Sequence, residues 1–193
     1  MKKKIAILGS TGSIGESTLD IIKKDKNNFD VILLSANNNY KKLIKQAKDV
    51  KAKNVLIRNN IFYDKLKSSL KNTHTKVYAG NVSIDKIVSK KLDYTMSSIV
   101  GIAGLEPTLE AIKNSKTVAI ANKESIICAW NLISKEIKKN KTLILPVDSE
   151  HFSIKELTKD VTDNEVEEVI ITASGGPFLN LSLKKLKNVK PNQ

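Results

Sequence analysis

Cysteine is almost absent from this chain of 193 residues, Cys128 standing alone. An internal disulfide is thereby excluded, and a single thiol fits a reducing compartment, so a cytoplasmic setting is expected. Arginine is equally scarce. Arg58 is the one example, and the remaining basic residues are lysines spread over helix faces such as Lys41, Lys42, Lys45 and Lys48. With aromatics at 5%, the net charge of +13 comes without the Arg-rich, aromatic-studded patch of a nucleic-acid binder. No apolar run approaches the roughly 18 residues of a membrane span. Lys2, Lys3 and Lys4 ahead of Ile5 only imitate a signal peptide, because the apolar run behind them ends at Gly9. Neither nucleic acid nor a membrane is therefore expected as a partner, whereas anionic small molecules are favoured.

What is present is a hydrophobic content of 40%, in short runs that alternate with helical patterns. Residues 5–8 form a continuous apolar run, as in a strand covered on both faces, and residues 13–24 place Ile14, Leu19, Ile21 and Ile22 largely on one helical face. Between them lies Gly9-Ser10-Thr11-Gly12-Ser13-Ile14-Gly15. Glycines let backbone approach a ligand closely, and a helix start offers free N–H groups and a positive dipole end to phosphate. The spacing differs from the common dinucleotide fingerprint, so a plain structural turn is the alternative.

The same alternation continues. Strands are expected over 29–35, 54–57, 76–79, 93–100, 117–121 and 143–147, with helices over 40–50, 61–70, 84–88, 105–112 and 124–138. Such a pattern predicts an α/β, Rossmann-like, doubly wound and mostly parallel sheet. Ligands bind such sheets beyond the carboxyl ends of the strands, where the loops 9–15, 35–39, 101–104 and 121–123 would emerge. After the second strand an NAD site usually carries a carboxylate for the ribose. Here Asn37, Asn38 and Asn39 stand instead, followed by lysines, which favours NADP(H); an ordinary Asn-rich turn is the competing reading.

Beyond residue 142 two further clusters draw notice. Asp148 and Glu150 follow a strand at a spacing of two, which in extended backbone aims both carboxylates at one point and fits Mg²⁺ or Mn²⁺. Alternatively, Asp148 or Ser149 caps a helix running through Ile154 and Leu157. His151 offers a proton donor or a packing group. A strand over 166–172 leads into Ser174-Gly175-Gly176, which can present a hydroxyl and N–H groups to an anion or make a tight turn.

Read together, the segments 8–15, 121–125 (Ala-Asn-Lys-Glu-Ser), 146–151 (Pro-Val-Asp-Ser-Glu-His) and 174–178 (Ser-Gly-Gly-Pro-Phe) resemble the 1-deoxy-D-xylulose 5-phosphate reductoisomerase family. The resemblance runs the whole length of the chain. It implies an NADPH-binding domain over 1–146 and the beginning of a metal- and substrate-binding catalytic domain over 147–193. The implied reaction rearranges and reduces 1-deoxy-D-xylulose 5-phosphate to 2-C-methyl-D-erythritol 4-phosphate for isoprenoid synthesis, in a full-length enzyme that is a homodimer. By the same resemblance Thr11, Gly12, Ser13, Ile14, Asn37, Asn38, Asn39, Asn122 and Glu124 would bind NADPH. Lys123, Ser149 and Ser174 would bind substrate, Asp148 and Glu150 would hold Mg²⁺ or Mn²⁺, and Lys123, Asp148 and Glu150 would be catalytic.

Family members continue further, with a third metal-binding Glu, a substrate-binding His and a helical C-terminal domain, so an incomplete, weakly active chain is expected. Competing readings are a nucleotide-binding module without activity and a different dehydrogenase using Cys128 as nucleophile. Against the latter, Cys128 falls in Ile126-Ile127-Cys128-Ala129-Trp130, which reads as buried helix.

Overall fold

Alternating side chains of β1 (Lys3–Leu8) serve both faces of a sheet: Ile5 and Ile7 join one hydrophobic cluster, Ala6 and Leu8 another. The computed structural model describes residues 1–170 and 176–190. Its two compact units are Met1–Phe152 and Ser153–Gln193. In the first, β1 is followed by α1 (Ser13–Lys24), β2 (Phe29–Ala36), α2 (Tyr40–Val50), β3 (Asn54–Ile57), α3 (Tyr63–Leu70) and β4 (Lys76–Ala79). Then come α4 (Ile84–Ile87), β5 (Leu92–Ser97), α5 (Leu105–Asn114), β6 (Ser115–Ile120), α6 (Lys123–Asn140) and β7 (Leu143–Pro146).

All pairings among these strands are parallel, in the order β4-β3-β2-β1-β5-β6-β7. The chain therefore builds outward from β1 to one edge and returns to β5 on β1's other side. That reversal opens a crevice beyond the carboxyl ends of β1 and β5. Leu19, Leu43 and Leu66 from α1, α2 and α3 cover one face, and Ile84, Ile112 and Ile133 from α4, α5 and α6 the other. Burying one such side chain contributes about 2 kcal/mol, so the sheet is the rigid frame on which the loops are held.

Two local expectations are corrected. β5 ends at Ser97 instead of residue 100, because Ser98 turns its backbone N–H and hydroxyl onto the Leu8 carbonyl (3.0 and 2.7 Å). Cys128 is exposed, not core. The inward stripe of α6 is Ile126, Ala129, Ile133 and Ile137, spaced by three and four, with a break in helical geometry at Ala129 (φ −139°, ψ 29°). Cys128 lies off that stripe, as do exposed Ile127 and Trp130.

α7 (Ser149–Leu157) begins in the first unit and ends in the second. The described part of the second unit continues with a single turn at Asp163–Glu165, closed by reciprocal bonds between Thr162 and Glu165, and with α8 (Leu183–Leu186). Residues 166–170, expected as strand, form no ladder, and Val169 and Ile170 are exposed. No strand among the described residues of this unit offers an edge to pair with, and an apolar run alone does not make a strand. Residues 171–172 and Ser174 lie outside the described residues. No helix among the described residues is long and apolar enough to cross a membrane.

Candidate functional site

The turn between β1 and α1 is fixed from below by β2. Gly9 and Ser10 both donate their N–H groups to the Ser35 carbonyl (3.1 and 2.8 Å). Fully buried Ser10 also exchanges two bonds with Gln46 of α2, hydroxyl to Oε1 and Nε2 to carbonyl, each 2.8 Å. Two glycines are indispensable here. Gly9 has φ +81°, and a Cβ on Gly15 would sit 2.5 Å from the Gly9 carbonyl oxygen. The helix start is thus pressed against the turn, and Gly12, its N-cap residue, offers no side chain to cap it. The free N–H groups and the positive end of α1 are left for an anion.

That helix start borders a cleft of about 450 Å³ at the crevice. Gly9, Thr11, Gly12 and Asn37 form one side, Leu56, Val82, Ile84, Ile99 and Ile102 an apolar bed, and Arg58, Glu106 and Glu110 a charged margin. The expected residues Thr11, Gly12 and Asn37 are therefore brought together. Asn38 and Asn39 belong to the same loop but are otherwise engaged: Asn38 accepts from Asn59 Nδ2 (3.0 Å), and Asn39 caps α2 by accepting from the Lys42 N–H (3.2 Å). Ser13 and Ile14 are exposed in the first turn of α1.

Asn122 is buried at 1% exposure, and its amide is spent on the protein. Nδ2 donates to the carbonyls of Ile99 and Gly101, and Oδ1 accepts from the Ser125 N–H (2.8 Å), capping α6. It shapes the loop that walls the cleft. Lys123 and Glu124 follow, both exposed, in the first turn of α6.

A second cluster lies beyond β7. Of the two readings of the acidic turn, an extended pair of carboxylates or a helix cap, the structure takes the cap: Ser149 and Glu150 already belong to α7. Asp148 is the cap: its Oδ1 accepts from the His151 N–H (3.0 Å) and pairs with His151 Nδ1 (2.6 Å). Capping is favoured locally because Asp148, two residues past the end of β7, stands three residues before the N–H it accepts from. Burial works to raise the Asp148 pKa, yet the bonds and charge of His151 outweigh it and hold the carboxyl below its ordinary value. Glu150 is also held low, by its own backbone N–H, then by the Ser149 hydroxyl (3.0 Å), then by the charge of Lys123, against a smaller opposing effect of Asp148. Glu150 thus lies within the fields of both Lys123 and Asp148. A lysine at a helix start is unfavourable by itself, and Glu150 supplies the anion that offsets it.

Two ionised carboxylates are a hard-oxygen donor pair of the kind Mg²⁺ and Mn²⁺ take. No group of three or more His, Cys, Asp or Glu side chains arranged for a metal occurs among the described residues. The 101–104 loop expected at the crevice contributes Ile102 and Ala103 to the cleft, whereas Arg58, Glu106 and residues 98–100 were not foreseen as parts of it. The signal available was a lone arginine directly after a strand.

Residues 5–130 match the family model for 1-deoxy-D-xylulose 5-phosphate reductoisomerase, and residues 144–193 match that for its C-terminal domain. The reductoisomerase of Pelagibacter ubique is 55% identical over 189 residues, covering 97% of this chain and 49% of the relative. That of Wolbachia pipientis from Culex pipiens is 44% identical over 192 residues, covering 99% and 49%. Among solved structures, the Zymomonas mobilis reductoisomerase in complex with NADPH superposes with a TM-score of 0.90 at 40% identity, over 100% of this chain and 51% of that one. A reductoisomerase in complex with NADPH, fosmidomycin and magnesium superposes with a TM-score of 0.82 at 32% identity, over 97% and 49%. The chain spans about half the length of the relatives it matches. With two successive family models matched in order and relatives of the same family among the solved structures it superposes on, the chain belongs to the 1-deoxy-D-xylulose 5-phosphate reductoisomerase family.

Proposed function

We propose that this chain carries the NADPH site and part of the metal and substrate site of an enzyme converting 1-deoxy-D-xylulose 5-phosphate to 2-C-methyl-D-erythritol 4-phosphate. The carrying observation is the uncapped start of α1 beside a cleft whose β2 loop bears asparagines in place of a carboxylate. In this reading residues 1–146 are the cofactor domain and 147–193 the start of the catalytic domain, in a cytoplasmic homodimer. The relatives' complexes with NADPH and magnesium support it.

Thr11, Gly12, Ser13 and Ile14 hold the cofactor phosphates at the helix start, and the Asn37–Asn39 loop faces its 2′-phosphate. Asn122 serves the cofactor through the 99–101 loop, and Glu124 stands next to it. Asp148 and Glu150 hold Mg²⁺ or Mn²⁺, which supplies Lewis-acid stabilisation of negative charge on substrate oxygens. Both His151 bonds fall on Oδ1 of Asp148, so Oδ2 is the oxygen that such an ion would take. Lys123 fixes the substrate by charge, Ser149 by its hydroxyl, and Ser174 binds the phosphate. The protein's part in hydride transfer is to place the cofactor and exclude water.

Calorimetric titration of the chain with NADPH and with NADH tests the reading. Tighter binding of NADPH is expected; equal affinities would remove the Asn37–Asn39 assignment. The scarcity of metal donors among the described residues favours, as a second reading, a nucleotide-binding module. Fosmidomycin binding that strengthens with Mn²⁺ would exclude the module.

A further inference from the structure

An ion pair between Arg58 and Glu106 stands at the margin of the cleft. We propose that Arg58 is the residue that reads the 2′-phosphate of NADPH, and that its pairing with Glu106 holds the guanidinium in place until the phosphate displaces the carboxylate. The inference rests on the NADPH reading of the cleft and adds a specificity residue to it.

Position is the first argument. Arg58 directly follows β3, and its N–H donates to the Ala36 carbonyl (2.9 Å), extending the β2–β3 ladder past Ala36 and Ile57. One residue on, the Asn59 N–H donates to the Asn37 carbonyl (3.2 Å) and Asn59 Nδ2 to Asn38 Oδ1 (3.0 Å). The segment bearing Arg58 is therefore sewn to the loop expected at the 2′-phosphate end. Charge is the second. Arg58 is the one basic residue lining the cleft among the described residues. Lys42, a lysine of the nearby helix, is engaged with Glu16 at 2.6 Å and does not line it. Asn37, Asn38 and Asn39 are polar but uncharged, so the cation the loop lacks is supplied from the neighbouring strand.

The pairing itself is the third argument. Arg58 Nη2 meets Glu106 Oε2 at 3.2 Å, with the side chains 40% and 71% exposed. A pair so open to water is weak and readily exchanged. A phosphate dianion offers the guanidinium fork a stronger, two-pronged, charge-assisted contact than one carboxylate oxygen does. Glu110 and Asp85 add negative charge nearby: Glu110 feels both Arg58 and the carboxylates of Glu106 and Asp85. These carboxylates oppose an anion wherever Arg58 is missing, so removal of Arg58 acts on NADPH and spares NADH.

Titration calorimetry of the unaltered chain, Arg58→Ala, Arg58→Lys and Glu106→Gln with each nucleotide is the test. Arg58→Ala is expected to weaken NADPH by about tenfold or more and to leave NADH unchanged, Arg58→Lys to restore part of the loss, and Glu106→Gln to tighten NADPH alone. Far-ultraviolet circular dichroism confirms that each variant is folded. An Arg58→Ala variant that keeps the NADPH preference overturns the inference while leaving the cleft's NADPH reading intact. Equal weakening of both nucleotides also overturns it, since that would place Arg58 against the shared adenosine. If the unaltered chain binds neither nucleotide, the reading and the inference fall together.

Discussion

Two strand-to-helix turns in the first unit do opposite things with their first helical residues. The turn after β1 keeps α1 uncapped and is held by backbone contacts, with Ser10 and Gln46 tying it down from within. The turn after β7 caps α7 with a side chain, and that side chain, Asp148, is the same group that would bind a metal. A nucleotide site can therefore be ready before its ligand arrives, because nothing in the turn has to be released. A metal site built on Asp148 must share that carboxylate with the local fold.

Substitutions can break this contrast, beginning with the turn that has no slack. Gly15→Ala would force a methyl to 2.5 Å from the Gly9 oxygen and should destabilise the first unit by about 3 kcal/mol or more in urea unfolding. Gly12→Ala meets nothing closer than 3.5 Å and should cost under about 1 kcal/mol, so any larger loss of nucleotide binding would report on the ligand alone.

At the acidic turn the two uses of Asp148 separate. Asp148→Ala should lose about 1 kcal/mol of stability with the cap, whereas Asp148→Asn, a good capping residue, should keep the stability. Both should weaken Mn²⁺ binding, read by calorimetry. An Asn variant that bound Mn²⁺ as well as the parent would detach Asp148 from the metal.

The cleft and the acidic turn also differ in the sign of their titrations. Burial first, then the charges of Glu106 and Asp85, raise the Glu110 pKa above its ordinary value, although the Ile84 N–H bond (3.0 Å) opposes them. The unfolded chain then gives up this proton first as pH rises. Glu110 therefore costs nothing well below the usual carboxylate range, and its cost grows through that range to completion above the raised value. Asp148, held low, contributes stability above its usual range and loses it as pH falls through its depressed folded value. Unfolding of Glu110→Gln followed from about pH 3 to neutrality should show a gain over the parent that grows with pH. A constant difference would contradict the assignment. The smallest effect is expected at Ser125, whose buried hydroxyl has no hydrogen-bond partner among the described residues. Ser125→Ala removes no bond, since the N–H still reaches Asn122, and thermal unfolding should change by no more than about 0.5 kcal/mol.

The sheet was legible because its information is local: runs such as 5–8 and 54–57 and helical stripes such as that of α2 are complete within a few residues. The glycine turn was legible because close packing leaves few residue choices. Arg58 was not, since its place in the cleft depends on the β2–β3 register and on an α5 residue 48 positions away. The Asp148 turn was ambiguous because capping and metal binding call for the same residue type. Cys128 misled because a break at Ala129 and the orientation of one helix stripe, both tertiary facts, decide what α6 buries.

The Asn122 side chain joins the Ile99 and Gly101 carbonyls on one side to the Ser125 N–H on the other, with Lys123 its immediate neighbour in the chain. One buried amide therefore ties the loop that walls the cleft to the first turn of α6, and neither can shift against the other without stranding a polar group away from water.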